Sequence, residues 1–369
     1  MFYAEMKKIW KPGIAVLIFI ISVLMFFTFM LRCVKPFLFE DGSDSTEISL
    51  ELCSRLLDQY GNTIEEEEFA EIENEYKQLL YGANSMIAET ELFLQNGIEN
   101  YEDYFQYMQN AIQGYEGYDY NTYAEMREQI ILATGKSSMY FELYEDMMQQ
   151  YRSAGAGRTS IMPFEILVYA NDYFVSMMIC CLICGFLLAA PVMVNDRANH
   201  VTASQYSSKK GKKIHRIQYL CMTISVLIIT SITIGLSILI WKATGTLQFA
   251  DSGISSFLNH ETSVLPITYG HIILCFMIIT YLLTLGIANI VFYLSAKSVN
   301  AINMLIKTIP VLTAGCFIGL FMEGLLCESN RIYKIFRIPG CELMVAFIIF
   351  IAGVFLNVRN YKTLRRRDV

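Results

Sequence analysis

Six runs of apolar residues, 13–31, 166–194, 220–241, 269–294, 301–325 and 342–357, divide the chain, and the polar segments between them differ greatly in length. As a helix rising about 1.5 Å per residue, the first run matches a hydrocarbon core of about 30 Å. It is too long for a signal peptide and lacks a small-residue cleavage site. Arg32 stands where a lipoprotein anchor at Cys33 would need a small residue. The pattern predicts an all-α, polytopic membrane protein with six transmembrane helices.

The segment from 32 to 164 has no run long enough to span and is expected to form a helical domain between the first two helices. Phe69, Ile72, Tyr76, Leu79, Ala83 and Met86 recur at steps of three and four, the spacing of an amphipathic helix. A second such segment runs from about Tyr123 to Tyr151 through Met126, Ile130 and Ala133, with a Gly- and Tyr-rich turn at 113–123 between them. A helical hairpin or three-helix bundle is expected.

Composition agrees: 54% of the 369 residues are hydrophobic and 17% charged, too apolar for an ordinary soluble protein. The net charge of −7 conceals a segregation. Residues 35–163 hold 25 acids and 7 bases, while the remainder holds 10 acids and 21 bases. The connector 195–219 carries Arg197, Lys209, Lys210, Lys212, Lys213 and Arg216 against Asp196, which assigns it to the cytoplasm. The basic tail 358–369 and the basic lead-in 1–12 then lie on the same side, with both termini cytoplasmic, and the acidic domain lies outside. The last outer loop runs against this rule with Arg331, Lys334 and Arg337, in a stretch that reads as an amphipathic helix at the surface.

Candidate chemistry is sparse. Gly135, Lys136 and Ser137 spell the end of a phosphate-binding loop, but Ile130 stands where its first glycine belongs. His200, His215, His260 and His271 have no metal-ligand spacing, and His271 reads as a hydrogen-bonded interfacial residue. No catalytic constellation is found, so the chain is expected not to be an enzyme and to need no cofactor or metal. Cys180, Cys181 and Cys184 fall inside an apolar run and read as packing residues. Proximity in sequence allows Cys33 to pair with Cys53, and Cys327 with Cys341, without requiring either bond. Glu65 to Glu68 reads as a helix start rather than a cation site. The tyrosines between 101 and 123 have two readings, core packing and an aromatic peptide-binding surface. Glu323 and Glu342, near the outer ends of the last two helices, are candidates for lining a translocation path. Gly315 and Gly319 have the small-xxx-small spacing of a helix–helix contact and are candidates for a dimer interface.

The connector carries a resemblance. Asn195, Asp196 and Arg197 follow Pro191 at the end of the second run. Ser204, Tyr206, Ser207 and Lys209 lie in a small-residue stretch leading to Gly211 and Lys212, and Gln218, Tyr219 and Leu220 re-enter the membrane. This resembles the permease subunits of type-2 ATP-binding-cassette exporters of Gram-positive bacteria, some of which have a large domain between helices one and two. The resemblance implies a dimer of identical or related permease chains with a separate cytoplasmic ATPase. It also implies an elbow helix in the lead-in and a coupling segment from Asp196 to Arg216, Lys213 included, that contacts the ATPase. Export of a peptide or lipid-like compound would follow, with no nucleic acid involved. A non-transporting sensor, whose outer domain binds a peptide and signals through the connector, is the alternative.

Overall fold

The computed structural model describes residues 1–38, 45–134, 160–198, 211–256 and 263–367. In chain order its helices are α1 Phe2–Ile9, α2 Pro12–Leu38, α3 Ser45–Tyr60, α4 Glu66–Glu89, α5 Glu91–Gln95, α6 Tyr101–Gln113, α7 Tyr120–Thr134, α8 Phe164–Ala189, α9 Pro191–Ala198, α10 Gly211–Lys242, α11 Tyr269–Ala296, α12 Ala301–Leu320, α13 Arg331–Phe336 and α14 Cys341–Arg367. Among the described residues there are isolated bridges but no strand. Six helical stretches are long and apolar enough to cross a membrane, so the chain is an all-α, multi-pass membrane protein. It divides into two units, one comprising 1–39, 166–251 and 261–369, the other 40–165 and 252–260.

In the first unit α8 is the core helix. Of its most apolar stretch 78% is buried, against 11% for α2, so α8 packs on protein while α2 leaves most of its surface exposed. Gly185 on α8 admits the Thr284 side chain of α11, which would lie 2.8 Å from any added Cβ. Near one end of α8 an aromatic cluster forms around the fully buried Trp241, whose indole donates to the Tyr269 hydroxyl at 2.7 Å. Tyr173 packs on the same indole with ring centroids 4.8 Å apart and donates to the Ser237 carbonyl at 2.9 Å. These bonds satisfy polar tips that burial would otherwise leave unpaired.

Several helices overrun the apolar runs that announced them. The helix containing residues 13–31 continues to Leu38, α10 starts at Gly211, and α14 reaches Arg367. Charged side chains mark where hydrocarbon ends, not where helical hydrogen bonding ends, so the polarity pattern underestimates these helices. In α12 the discrepancy is reversed, because the helix stops at Leu320 rather than 325. Gly324 and Leu326 take positive φ, and the Asn330 amide donates to the freed carbonyls of Phe321 at 3.1 Å and Glu323 at 2.8 Å. Asn330 also caps α13, accepting from the Ile332 amide at 2.8 Å and the Tyr333 amide at 3.0 Å. Ile335, Phe336 and Ile338 are exposed while Ile332 is buried, giving that short helix an outward apolar edge.

The second unit is helical, as expected, with more pieces than two amphipathic segments suggest. Glu65 starts α4, its amide donating to the Glu68 carboxylate at 2.8 Å, as the helix-start reading of the acidic run requires. Phe69, Ile72, Tyr76, Ala83 and Ile87 of α4 are buried, as are Tyr123, Met126 and Ile130 of α7. The remainder of the expected second helix, 135–151, lies outside the described residues. Helices α3 and α6 were not anticipated as separate elements; α3 buries Leu52, Cys53 and Leu56. Burial pushes the Cys53 thiol well up, with the Glu165 carboxylate adding to the effect, so it behaves as a small apolar group. The unit is discontinuous in sequence. Ser256, from the segment after α10, forms a bridge with Ser160, and its hydroxyl accepts from the Met162 amide at 3.2 Å. Amphipathic periodicity carries no information about such a distant insertion.

The α6 start is a cap whose removal has a local cost. The Asn100 side chain accepts from the Asp103 amide at 3.0 Å, so Asn100→Ala is expected to weaken α6 by about 1 kcal/mol, roughly fivefold in local opening. Hydrogen exchange of the first-turn amides of α6 checks this. Unchanged protection would remove the cap from the account of this helix.

Candidate functional site

A buried polar cluster joins α1, α9 and the start of α10. α1 is amphipathic, with Glu5 and Ile9 on its buried face and Lys7 and Lys8 exposed. The Trp10 indole beyond it donates to the Ser225 hydroxyl of α10 at 2.9 Å. Pro191, at the first position of α9, restarts the helix after the break at Ala190 and carries Asp196 back towards α1.

There Glu5 and Asp196, 6% and 5% exposed, share their donors. The Lys8 ammonium reaches the Glu5 carboxylate at 2.8 Å and the Asp196 carboxylate at 3.1 Å. The Gln218 amide donates to Asp196 at 2.6 Å and to Glu5 at 3.2 Å. Two acids so deeply buried require compensation, and one lysine with a bifunctional amide supplies it. Partial burial alone would pull the Lys8 ammonium down, but the bonds to Glu5 and Asp196 and their charges outweigh it, raising its pKa above the ordinary lysine value. Arg216, two residues before Gln218, lies over the Tyr361 ring of α14, 4.7 Å from its centroid. The result is a polar lock holding α1 to the facing ends of two membrane helices. It offers no nucleophile paired with a base, and no group of His, Cys, Asp and Glu among the described residues is arranged to hold a metal.

The candidates from sequence are placed unequally. Asp196 is in the lock and Gly211 opens α10. Arg197, Lys212 and Lys213 lie on helices, but their side chains are outside the description; Ser204, Tyr206, Ser207 and Lys209 lie outside the described residues altogether. Gly315 and Gly319 are buried within the chain, the first against Ile287 of α11, 3.1 Å from an added Cβ, the second against Met178, Ile179 and Leu182 of α8. In this structure their spacing serves contacts with other helices of the same chain. Glu323 is exposed whereas Glu342 is 1% exposed, with one carboxylate oxygen unpartnered among the described residues, so the two acids have opposite surroundings.

All ten cysteines are free thiols, Cys33, Cys53, Cys327 and Cys341 included. Cys180 and Cys184 lie near the Ser22 hydroxyl of α2, at 3.8 Å each, as packing residues. His271 bonds the Thr268 hydroxyl at 2.8 Å at the start of α11, so it is hydrogen-bonded as expected.

Sequence reading missed Glu5, Lys8 and Gln218 as partners of Asp196. Two signals were present: Glu5 and Lys8 are three apart, one helical turn, and His215, Gln218 and Ser225 form a polar stripe at steps of three and seven on an otherwise apolar helix.

Family models, curated proteins and solved structures were all compared with the chain, and none matches.

Proposed function

We propose that this chain is the membrane-spanning permease subunit of an ATP-binding-cassette exporter in a bacterial cell membrane. In this reading both termini and residues 195–219 face the cytosol, a separate ATPase subunit hydrolyses ATP, and a second permease chain, identical or related, completes the dimer. The cargo expected from the resemblance is a peptide or lipid-like compound.

The observation that carries the reading is the polar lock. Both ends of the basic connector are anchored in it or beside it, the first through Asp196 and the second through Gln218 and Arg216. A partner bearing on the connector would therefore act on α1, α9 and α10 together. ATP-driven closure of two ATPases then has a rigid element through which to change the relative stability of two membrane states.

Replacing Ser204 to Ser208 and Gly211 to Lys213 with alanine tests the assignment, because it leaves Asp196, Gln218 and the lock untouched. Recovery of the ATPase with the permease from membranes in mild detergent is expected to fall about tenfold or more, with the thermal midpoint of the permease unchanged. Undiminished recovery, or ATP hydrolysis by the purified chain alone, would overturn the proposal.

A further inference from the structure

The tyrosines of the second unit divide into two populations. Tyr101, Tyr104, Tyr107 and Tyr123 are buried, with Tyr104 at the centre, 5.6 Å from Tyr101 and 6.3 Å from Tyr123 between ring centroids. Tyr115 and Tyr118, on the turn between α6 and α7, and Tyr120, at the first position of α7, are 56%, 40% and 59% exposed, and Ile112 near the end of α6 is 58% exposed. Core packing accounts for the first group and leaves the second unexplained.

This turn is held in a defined shape. Gly114 and Gly117 have φ of 70° and 95°, where a side chain would be strained. The Tyr115 amide donates to the Asn110 carbonyl at 3.0 Å, and the Tyr118 amide to the Tyr115 carbonyl at 3.2 Å. The buried Tyr107 hydroxyl accepts from the Asp119 amide at 3.2 Å, while its ring meets Tyr118 edge-on at 5.2 Å. Asp119 caps α7, accepting from both the amide and the hydroxyl of Thr122 at 3.0 Å. The three rings are thus displayed on a rigid turn, an arrangement that gives large contact area at little entropic cost on binding.

The charge around the turn selects the partner. From residue 78 to 126 there is no lysine, arginine or histidine, and there are eight acids, with Glu116 and Asp119 on the turn itself. The hydrogen bonds from Thr122 hold the Asp119 carboxyl below the usual carboxylate range, so it remains ionised in mildly acidic solution. Tyrosine faces and carboxylates both attract cations. Anionic polymers and anionic lipid surfaces are repelled by the same field. The rings stand on an exposed turn, which favours an extended ligand over a small ion.

We propose that residues 112–120 form a docking surface for a cationic amphipathic peptide, its basic side chains over Tyr115, Tyr118 and Tyr120 and against Glu116 and Asp119, its apolar side chains against Ile112. The inference does not rest on the transport reading, since a permease, a sensor or a receptor could each present such a surface.

The test uses the full chain in nanodiscs of zwitterionic phosphatidylcholine and a fluorescent peptide of alternating lysine and leucine, followed by anisotropy, with empty discs as background. Binding is expected to weaken about tenfold in the variant carrying Tyr115→Ser, Tyr118→Ser and Tyr120→Ser, and by a similar factor in Glu116→Gln with Asp119→Asn. Asparagine keeps the α7 cap, so the second variant separates lost charge from lost folding. Neutralising two exposed acids outside residues 112–120, Glu67→Gln with Glu89→Gln, is expected to leave the affinity unchanged. Equal affinity in the tyrosine variant, an equal loss from the Glu67 and Glu89 pair, or equal binding of a glutamate–leucine peptide would each overturn the proposal. So would a tyrosine variant that loses only its association with added phosphatidylcholine vesicles, which would make the turn a lipid contact.

Discussion

Gly353→Leu is expected to prevent recovery of folded protein, and Gly353→Ala to lower the thermal midpoint in detergent measurably. A Cβ at this position of α14 would lie 2.6 Å from the Gly286 carbonyl oxygen of α11 and 2.8 Å from the Asn289 Cβ. The crossing is tight from the other side as well, because a Cβ at Gly286 would lie 2.9 Å from the Phe350 amide nitrogen and 3.0 Å from the Ile349 carbonyl carbon. These neighbours are mostly backbone, so the clash cannot be relieved by rotating a side chain, and the helices must separate. Overpacking of this kind costs about 1–3 kcal/mol for one methyl group, and more for leucine. Separation also strains the Asn357 amide, which donates to the Asn289 carbonyl at 2.7 Å and the Gly353 carbonyl at 2.9 Å. Close backbone approach is a principal attraction between helices in lipid, where no hydrophobic effect drives them together. Gly235→Ala on α10 is the control, since nothing lies within 4 Å of its added Cβ, and it is expected to behave as wild type. A Gly353→Leu protein that elutes as a single species with the wild-type midpoint would show that this crossing does not hold the bundle together.

This crossing also marks how far the sequence could be read. Six apolar runs announce six spans because a bilayer imposes length and composition directly on each helix. The amphipathic spacing of Phe69, Ile72, Tyr76 and Ala83 is visible because one helix faces one core, and those four residues are buried. Gly286 and Gly353 belong to different helices, so no spacing within either reveals that they meet, whereas Gly315 and Gly319 are conspicuous in sequence and turn out to face α11 and α8 of their own chain. The lock follows the same logic. Asp196 was found because a local motif surrounds it, while Glu5 and Gln218 lie about 190 and 22 residues away and are joined to it only by folding. Hydrophobic pattern reports what each helix needs, and pairings between helices depend on shape that a one-dimensional pattern does not carry.

Lys8→Met is expected to damage the lock more than Asp196→Asn does, although each removes one partner of the same ion pair. With lysine present, two carboxylates and one ammonium leave a net charge of −1; without it, two buried acids face each other at −2, and with Asp196 neutralised the balance is zero. Breaking a fully buried pair costs about 3–5 kcal/mol, but the Lys8 side chain is 42% exposed, so solvent screening reduces the expected loss to about 1–3 kcal/mol. If charge imbalance is the cause, adding Glu5→Gln to Lys8→Met should recover stability, because it removes the repulsion while Gln218 still bonds Asp196 at 2.6 Å. Thermal midpoints of the single and double variants in detergent give the coupling between positions 5 and 8, expected to exceed about 0.5 kcal/mol. Additivity of the two changes would mean that Lys8 acts through helix packing alone. The pH dependence has a definite sign. Because the folded pKa of Lys8 is raised, its contribution is fully present below the ordinary lysine value and is lost as pH rises through the raised one, so the wild-type advantage over Lys8→Met should persist at neutral pH and vanish only in strong alkali. Across the physiological range the contribution of Lys8 to the lock is therefore expected to be independent of pH.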